Sequence, residues 1–213
     1  MKNIAVLVSG GGTNLQALID AEKSGKIPGG RISLVISSKP GAYALTRAEN
    51  NNIKTHIVEW AAYKFLENSR KAFSAEILRL LLENNTDLVI YAGFMVILDE
   101  CVVKAFPNAM LNVHPALLPA FGGKGFYGLH VHRAALESGV KLTGATVHFV
   151  NEICDGGPII LQKAVEVKDD DTPETLQKRV MQEAEQVLLA KAAALFCEGR
   201  IKVEGAKCII LKK

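Results

Sequence analysis

The sequence lacks the features that mark secreted and membrane-spanning proteins. No apolar run approaches the roughly 18 residues that a membrane helix needs, and Met1 leads directly into a strand-like run instead of the apolar core of a signal peptide. The chain has only four cysteines, and no two of them form a Cys-x-x-Cys pair. Scattered cysteines are typical of a reduced compartment. We therefore expect a cytoplasmic protein with no membrane partner.

A strong excess of charge and low-complexity tracts are also absent. The net charge of +3 over 213 residues is too small to indicate a surface that coats nucleic acid, so we expect no nucleic-acid partner. An apolar fraction of 49% argues against disorder, and no Pro-, Gly- or Ser-rich stretch marks a linker. We expect a single well-buried domain over residues 1–213.

Apolar runs alternate with segments of helical spacing as far as about residue 140. Residues 4–8 are continuously apolar, as expected for a strand buried on both faces of a parallel sheet. Leu15, Leu18 and Ile19 then supply the apolar stripe of a helix. Further strands are predicted at 32–37, 55–59, 88–91 and 110–113, and helices at 43–51 and 72–83.

The pattern changes after residue 140. Residues 143–150 and 158–167 predict two longer antiparallel strands joined by a short loop, and a closing helix is predicted from Thr172, with Pro173 in its first turn. Together these patterns predict an α/β fold, a Rossmann-like, mostly parallel twisted sheet with helices on both faces and an antiparallel C-terminal addition. In such sheets ligands bind beyond the carboxyl ends of the strands.

A glycine-rich segment, Gly10 to Asn14, follows the first predicted strand and opens the first helix. Glycines there let backbone N–H groups approach an anion, and the helix N-terminus adds partial positive charge. The segment lacks the Lys of a P-loop, and Leu15 stands where a dinucleotide-binding loop would have its third glycine. These features favour a small phosphorylated ligand. The alternative is a tight turn that needs positive φ and binds nothing.

An amide, an imidazole and a carboxylate lie at the ends of later strands, as Asn112, His114 and Asp155. Attack of an amine on an acyl carbon creates an oxyanion, to which Asn112 would donate a hydrogen bond. His114 lies two residues on, hence on the same face of a strand, and Pro115 fixes the chain direction after it. Asp155 would orient the imidazole and favour its protonated form. In isolation, an Asn-x-His at a strand end would more often cap its own turn.

Three further segments carry a resemblance to a known family. Residues 112–119 (Asn-Val-His-Pro-Ala-Leu-Leu-Pro), 92–95 (Ala-Gly-Phe-Met) and 155–160 (Asp-Gly-Gly-Pro-Ile-Ile) resemble the folate-dependent formyltransferases. Residues 9–16 and 128–132 are most similar to the members that act on glycinamide ribonucleotide in purine biosynthesis. The resemblance spans almost the whole chain. It implies formyl transfer from 10-formyltetrahydrofolate, a co-substrate, to the amine of glycinamide ribonucleotide, with no metal.

The resemblance also implies roles for individual residues. Asn112, His114 and Asp155 would be catalytic, as oxyanion donor, proton donor and the group that raises the pKa of the histidine. Glycinamide ribonucleotide would be bound by Gly12, Thr13, Asn14 and Glu185, and the folate by Arg70, Met95, Val96, Ile97, Leu98, Asn112, Asn151 and Cys154. Residues 151–155 would form a loop over the active site.

The same resemblance implies an organisation for the whole molecule. A phosphate-binding part would cover about residues 1–100, and a folate-binding and catalytic part about residues 101–213. The partners would be small-molecule substrates of a monomer or homodimer.

The chain departs from the family pattern at three places. Many members have Arg where this chain has Val96, so we expect backbone contacts to the folate there without a side-chain contact to its acidic tail. The last helix has two candidates for the ribonucleotide contact, since Glu183 competes with Glu185. An insertion at residues 121–127 carries Lys124, for which solvation is favoured over an anionic ligand.

Other residues allow alternative interpretations. His130 and His132 lack a third ligand at plausible spacing, so zinc is not expected. No candidate base accompanies Cys154, and His148 is predicted to be a satisfied histidine of the core.

Three rival functions remain open at this stage. A formyltetrahydrofolate hydrolase would carry an extra N-terminal domain and His in place of Pro115, and a methionyl-tRNA formyltransferase would carry an extra C-terminal domain. We expect neither addition in a chain of this length. A phosphosugar-binding module without catalysis is the third alternative.

Overall fold

Two fully buried strands explain why the first half of the sequence is so apolar. In β1 (Lys2–Val8), residues 4–8 have no exposed surface, and all four residues of β4 (Leu88–Tyr91) are buried. Only a strand covered on both faces needs apolar side chains at successive positions. The predicted strands at 4–8 and 88–91 are therefore confirmed.

The computed structural model describes residues 1–212, which divide into two units, Met1–Leu111 and the residues from Asn112 onward. In the first unit four strands pair in the order β3-β2-β1-β4, and each pairing is parallel. Val89 on β4 also donates its backbone N–H to the carbonyl of Ala109, just before β5. The elements of this unit are β1, α1 (Thr13–Lys23), β2 (Gly30–Ser37), α2 (Tyr43–Glu49), β3 (Lys54–Ile57), α3 (Trp60–Tyr63), α4 (Ser69–Glu83), β4, α5 (Glu100–Ala105) and the start of β5 (Met110–His114).

The second unit is built on antiparallel pairs. β6 pairs with β7 and β8 with β9 in antiparallel fashion, while β7 and β9 are parallel, so the order is β6-β7-β9-β8. A π-helical turn joins the last two helices. The elements of this unit are the end of β5, α6 (Leu129–Glu137), β6 (Leu142–Phe149), β7 (Ile159–Glu166), α7 (Pro173–Val180), the π-helical turn (Met181–Glu185), α8 (Gln186–Cys197), β8 (Ile201–Glu204) and β9 (Lys207–Ile210).

The element boundaries follow local sequence signals closely. α1 buries the predicted stripe of Leu15, Leu18 and Ile19. α7 begins as predicted: the Thr172 hydroxyl accepts from the Thr175 N–H in a capping box, and Pro173 occupies the first turn. The parallel first unit and the β6-β7 pair confirm the predicted α/β class with its antiparallel C-terminal addition. The hairpin of β8 and β9 was not predicted.

No helix among residues 1–212 is both long and apolar enough to span a membrane.

Candidate active site

The glycine loop, defined here as Gly10 to Asn14, is tied to the helix α2. The Ala44 N–H donates to the Gly10 carbonyl at 3.1 Å, and Arg47 Nε donates to the Gly11 carbonyl at 2.9 Å. Gly12 has a φ of 71°, and a Cβ on it would lie 2.6 Å from the Cβ of Ala44. Gly12 therefore needs to be glycine both for its backbone conformation and for lack of space.

The remaining predicted phosphate ligands open the helix α1. Thr13 is the first residue of the helix and is exposed, whereas Asn14 is buried. The first turn contains no acidic residue. Its N-terminal partial charge is therefore not neutralised from within the turn, which suits an anionic ligand.

A serine hydroxyl connects the end of β1 with the segment that follows β4. The Ser9 and Ser38 hydroxyls lie 2.6 Å apart, and the Met95 N–H donates to the Ser9 hydroxyl at 3.0 Å. This contact fixes the start of the predicted folate segment, residues 95–98. This role of Ser9 was not predicted from the sequence, because its partner Met95 lies 86 residues away along the chain.

The predicted folate segment carries exposed apolar side chains. Met95 is 57% and Ile97 51% exposed, while Leu98 is buried. The half-buried Phe94, which precedes them, stacks on the buried Phe73, with ring centroids 6.3 Å apart. Exposed apolar side chains suit the face of a flat heterocycle.

Arg70, the predicted charged residue of the folate site, lies on α4 with its side chain 58% exposed. Its guanidinium is 3.8 Å from the Asp99 carboxylate, which in turn caps α5 by accepting from the Cys101 N–H. Because such an exposed ion pair is weak, Arg70 remains available to an anionic group.

The three predicted catalytic residues lie close together in the second unit, and a second histidine, His148, lies beside them. We define the polar cluster as Asn112, His114, His148 and Asp155. The Asn112 amide nitrogen lies 3.2 Å from His148 Nε2 and donates to Asp155 Oδ1 at 3.4 Å. Asp155 Oδ2 lies 3.5 Å from His114 Nδ1. Both histidines are buried, whereas Asn112 is half-buried.

The His114 ring is oriented by a backbone carbonyl. Its Nε2 lies 2.7 Å from the Phe121 carbonyl, and since a carbonyl only accepts, Nε2 carries a proton. In the neutral ring Nδ1 is then bare and faces the Asp155 carboxylate. Protonation of Nδ1 converts this contact between two acceptors into an ion pair, so the position of the ring favours the imidazolium form.

Burial acts against that imidazolium. It lowers the pKa of His114 below the ordinary value, and the charge of Asp155 and the hydrogen bond to Phe121 raise the pKa only in part. Asp155 thus acts in the predicted direction, but the net shift is downward.

Asp155 is held as a carboxylate. Burial raises its pKa, but the contact with His148, the hydrogen bond from the Gly123 N–H and the charge of His114 together lower the pKa to about 2. Asp155 and Phe121 both have positive φ, at 54° and 52°. Non-glycine residues in this conformation store backbone strain, which is often found at functional sites.

His148 was missed by the sequence analysis as a site residue. It is buried as predicted, at 2% exposure, but its polar contacts belong to the polar cluster. Its Nδ1 donates to the Phe149 carbonyl at 2.8 Å, and its Nε2 lies 3.2 Å from the Asn112 amide nitrogen and 3.6 Å from Asp155 Oδ1. His148 could have been identified as a site residue from its position at the end of a predicted strand, seven residues before the Asp-Gly-Gly-Pro turn.

A buried threonine secures the backbone that follows His114. The Thr146 hydroxyl donates to the Ala116 carbonyl at 2.7 Å and accepts from the Leu118 N–H at 3.0 Å. Gln162 donates to the same hydroxyl and to the Leu118 carbonyl. Residues 116–118 are therefore anchored to β6 and β7.

The predicted loop over the site, residues 151–155, is held by Asn151. Its side chain accepts from the Ile153 N–H at 3.0 Å and donates to the Gly156 carbonyl at 3.3 Å. A Cβ on Gly157 would lie 1.8 Å from the Phe149 carbonyl oxygen, so no larger residue fits there. Cys154 is exposed, but partial burial and the charge of Asp155 raise the pKa of its thiol, which makes it a poor nucleophile.

The two glutamates proposed for the ribonucleotide contact differ in environment. Both lie in the π-helical turn, yet Glu185 is buried and Glu183 is exposed. Lys163 donates to the backbone carbonyl of Glu183 at 2.6 Å. A buried carboxylate on a π-helical turn is the stronger candidate, because such turns are frequent at functional sites.

The two histidines of α6, His130 and His132, have different environments. His130 is exposed beside the Tyr127 ring, while His132 is buried, and burial together with the charge of His114 lowers its pKa to about 4. Within residues 1–212, no group of three or more His, Cys, Asp or Glu side chains is placed to hold a metal ion.

Comparison with known proteins identifies the family of the chain. The family described as "Formyl transferase" matches residues 2–192. The phosphoribosylglycinamide formyltransferase of Escherichia coli (strain K12) is 40% identical over 201 residues, which cover 94% of this chain and 90% of that protein. The trifunctional purine biosynthetic protein adenosine-3 of Gallus gallus is 42% identical over 209 residues, but this chain spans only 20% of its length.

A solved structure shows the same fold. The crystal structure of glycinamide ribonucleotide transformylase 1 from Symbiobacterium toebii matches with a TM-score of 0.92 at 45% sequence identity, over 100% of this chain and 95% of that one. This likeness confirms the predicted fold class.

Proposed function

The chain belongs to the formyl transferase family, and we propose that it transfers the formyl group of 10-formyltetrahydrofolate to the amine of glycinamide ribonucleotide. The products would be formylglycinamide ribonucleotide and tetrahydrofolate, in the synthesis of purines. Two relatives that are named for this activity are 41% and 40% identical to this chain, and each match covers 94% of it. The observation that carries the proposal is the convergence of Asn112, His114 and Asp155 in the polar cluster.

The first step is attack of the substrate amine on the formyl carbon. It forms a C–N bond and places negative charge on the former carbonyl oxygen. Asn112 stabilises this oxyanion by an N–H, and such a donor contributes about 10²- to 10³-fold in rate. Its contact with Asp155, at 3.4 Å, is the longer of its two hydrogen bonds, so this N–H is the one more readily redirected.

The second step breaks the bond between the formyl carbon and N10 of the folate. The leaving nitrogen needs a proton, which His114 donates as general acid, and the proton shed by the attacking amine restores the ring. Asp155, whose pKa is held at about 2, stays negative throughout and stabilises the imidazolium. The net result is the transfer of one formyl group and one proton, with no metal required.

Substrate binding is assigned to residues outside the polar cluster. Gly12, Thr13 and Asn14 would bind the phosphate through the N-terminus of α1, and Glu185 would contact the ribose or glycinamide. The folate ring would lie on the segment of residues 95–98, with Val96 contributing backbone groups and Arg70 attracting the acidic tail. Asn151 and Cys154 would contact the folate from the loop of residues 151–155.

A direct assay tests the proposal. The purified chain is mixed with 10-formyltetrahydrofolate, and folate product is followed with and without glycinamide ribonucleotide. We expect product only in the presence of the amine, with one formylated amine per folate released. Turnover without the amine would indicate the hydrolase instead, and binding of both ligands without turnover would indicate the non-catalytic module. Either result would overturn the proposal.

A further inference from the structure

The two carbonyl groups that precede Gly12 are both bound by the helix α2. As described above, the Gly10 carbonyl accepts from the Ala44 N–H and the Gly11 carbonyl accepts from Arg47 Nε. In a trans peptide the C=O of one residue and the N–H of the next point in opposite directions. The N–H groups of Gly11 and Gly12 are therefore directed away from α2, where successive N–H groups form an anion-binding concavity.

Arg47 is itself fixed on three sides. Beyond the Gly11 carbonyl, its Nη1 donates to the Gln16 side chain at 3.1 Å, and its guanidinium lies 5.0 Å from the centroid of the Tyr43 ring. Gln16 is in turn held by Asp20. The planar fork of an arginine can bind two acceptors at fixed angles while its face rests on an aromatic ring, which a lysine cannot do.

The charge of Arg47 is not neutralised by a carboxylate. None of the ion pairs found within residues 1–212 includes it. A guanidinium is always protonated in proteins. A permanent positive charge thus lies directly behind the glycine loop and reinforces the partial charge of the α1 N-terminus.

We propose that Arg47 is a positioning residue for phosphate recognition, which orients the N–H groups of Gly11 and Gly12 toward the phosphate of the amine substrate. The inference rests on the proposed function in one respect, namely that the glycine loop receives a phosphate. Arg47 acts through the loop backbone, so it controls the affinity for the phosphorylated substrate and leaves the chemistry in the polar cluster unaffected.

The test compares three substitutions, Arg47→Lys, Arg47→Gln and Arg47→Ala, with the wild type. Binding of ribose 5-phosphate is measured by titration calorimetry, and kcat and KM are measured for both substrates. We expect the Kd for ribose 5-phosphate and the KM for glycinamide ribonucleotide to rise by about 10- to 100-fold, the scale of a lost charged hydrogen bond. The kcat at saturation and the KM for the folate should stay within about twofold.

The lysine variant separates positioning from charge. Because it keeps the charge but loses the fork, it should behave like the glutamine variant if Arg47 acts by orienting the loop. Arg79→Gln is the matched control, because it changes the net charge equally and because the ion pairs of Arg79 among residues 1–212 lie within α4, with Glu76 and Glu83. This control should bind ribose 5-phosphate as the wild type does.

The possible failures are distinguishable. Wild-type binding of ribose 5-phosphate by all three Arg47 variants would overturn the inference while leaving formyl transfer intact. Full affinity in the lysine variant alone would also overturn it, because charge without orientation would then suffice. If the wild type binds ribose 5-phosphate in an Arg47-dependent way but transfers no formyl group, the proposed function fails and the inference stands.

Discussion

The glycine loop follows the end of β1, whereas the polar cluster takes Asn112 and His114 from β5, His148 from β6 and Asp155 from the loop after β6. The glycine loop presents backbone N–H groups, and its neighbours Ala44 and Arg47 hold its carbonyl groups. The polar cluster consists of four side chains, an amide, two imidazoles and a carboxylate, and the backbone supplies supporting contacts through Phe121 and Gly123. The first site thus presents backbone groups, which a neighbouring helix holds in place, and the second presents side chains, which backbone groups hold in place.

This difference determines what each site tolerates. Any residue except proline presents a backbone N–H when it has the right conformation, so the glycine loop depends on conformation and space. An imidazole or carboxylate has no substitute in proton transfer, so the polar cluster depends on residue identity. Substitutions that alter chemistry should therefore affect the polar cluster most, and substitutions that add a Cβ should affect the glycine loop most.

The largest effect is expected for His114→Ala. Removal of the general acid should lower kcat by at least about 10²-fold, the usual scale for acid–base catalysis. Folding and ribose 5-phosphate binding should remain nearly intact, because the glycine loop is built without this side chain. Steady-state kinetics and calorimetry together provide the check, and wild-type turnover in the variant would refute the mechanism.

Gly12→Ala should produce the next largest effect, on the glycine loop. The left-handed conformation costs an alanine about 1 to 2 kcal/mol, and the added Cβ would collide with Ala44, which costs about 1 to 3 kcal/mol more. Chemical denaturation should show a lower free energy of unfolding. Gly10→Ala is the matched control for stability, since its Cβ would have no neighbour within 4 Å. Equal stability of the two variants would contradict the role assigned to Ala44.

A smaller effect is expected at two threonines of β6. Thr146→Val removes the acceptor of the buried Leu118 N–H and the donor to the Ala116 carbonyl, which should cost about 2 kcal/mol of unfolding free energy. Thr143→Val is the control, because the Thr143 hydroxyl is buried and has no hydrogen-bond partner among residues 1–212. Its replacement by an isosteric apolar side chain should be neutral or stabilising. Loss of stability at both positions would show that shape, not hydrogen bonding, dominates there.

The smallest effect concerns the titration of His114 in Asp155→Asn. The neutral amide cannot stabilise imidazolium, so the pKa of His114, already lowered by burial, should fall further. A smaller fraction of the ring is then protonated at any given pH, and the limb of the rate profile on which activity falls with rising pH should move to lower pH. NMR titration of the ring measures the pKa directly.

Asp169→Asn provides the control for that titration. Asp169 is exposed and pairs with Lys141, so its substitution should leave the pKa of His114 unchanged. An unaltered titration in Asp155→Asn as well would leave Asp155 with a positional role only.

The sequence predicted those parts of the molecule that depend on local pattern. The buried strand at residues 4–8 and the capped start of α7 were visible because burial on two faces and helix capping leave fixed residue types. The convergence of Asn112, His114 and Asp155 was expected from strand ends and from the family resemblance.

Other features depend on partners that the sequence does not name. The role of Arg47 could not be predicted from the sequence, because its partners are a backbone carbonyl and the side chain of Gln16, which lies 31 residues away. His148 was correctly predicted to be buried, but which ring nitrogen faces Asn112 depends on the Phe149 carbonyl. Thr143 and Thr146 are alike in sequence and burial, and only the neighbouring strand and loop distinguish them.

The π-helical turn holds one residue more than a regular helix would need at this place. Its i→i+5 hydrogen bonds enclose one residue more than the bonds of an α-helix, so five residues of the turn advance the chain by about the same angle as four α-helical residues at about 100° each. Deletion of one residue from Met181–Glu185 would therefore let α7 and α8 join as one regular helix with little rotation of one against the other. Leu176 and Val180 on α7 and Leu188 and Leu189 on α8 would stay buried. The apolar faces do not require the extra residue, and its removal would displace Glu185, which lies in the turn, while leaving those faces in place.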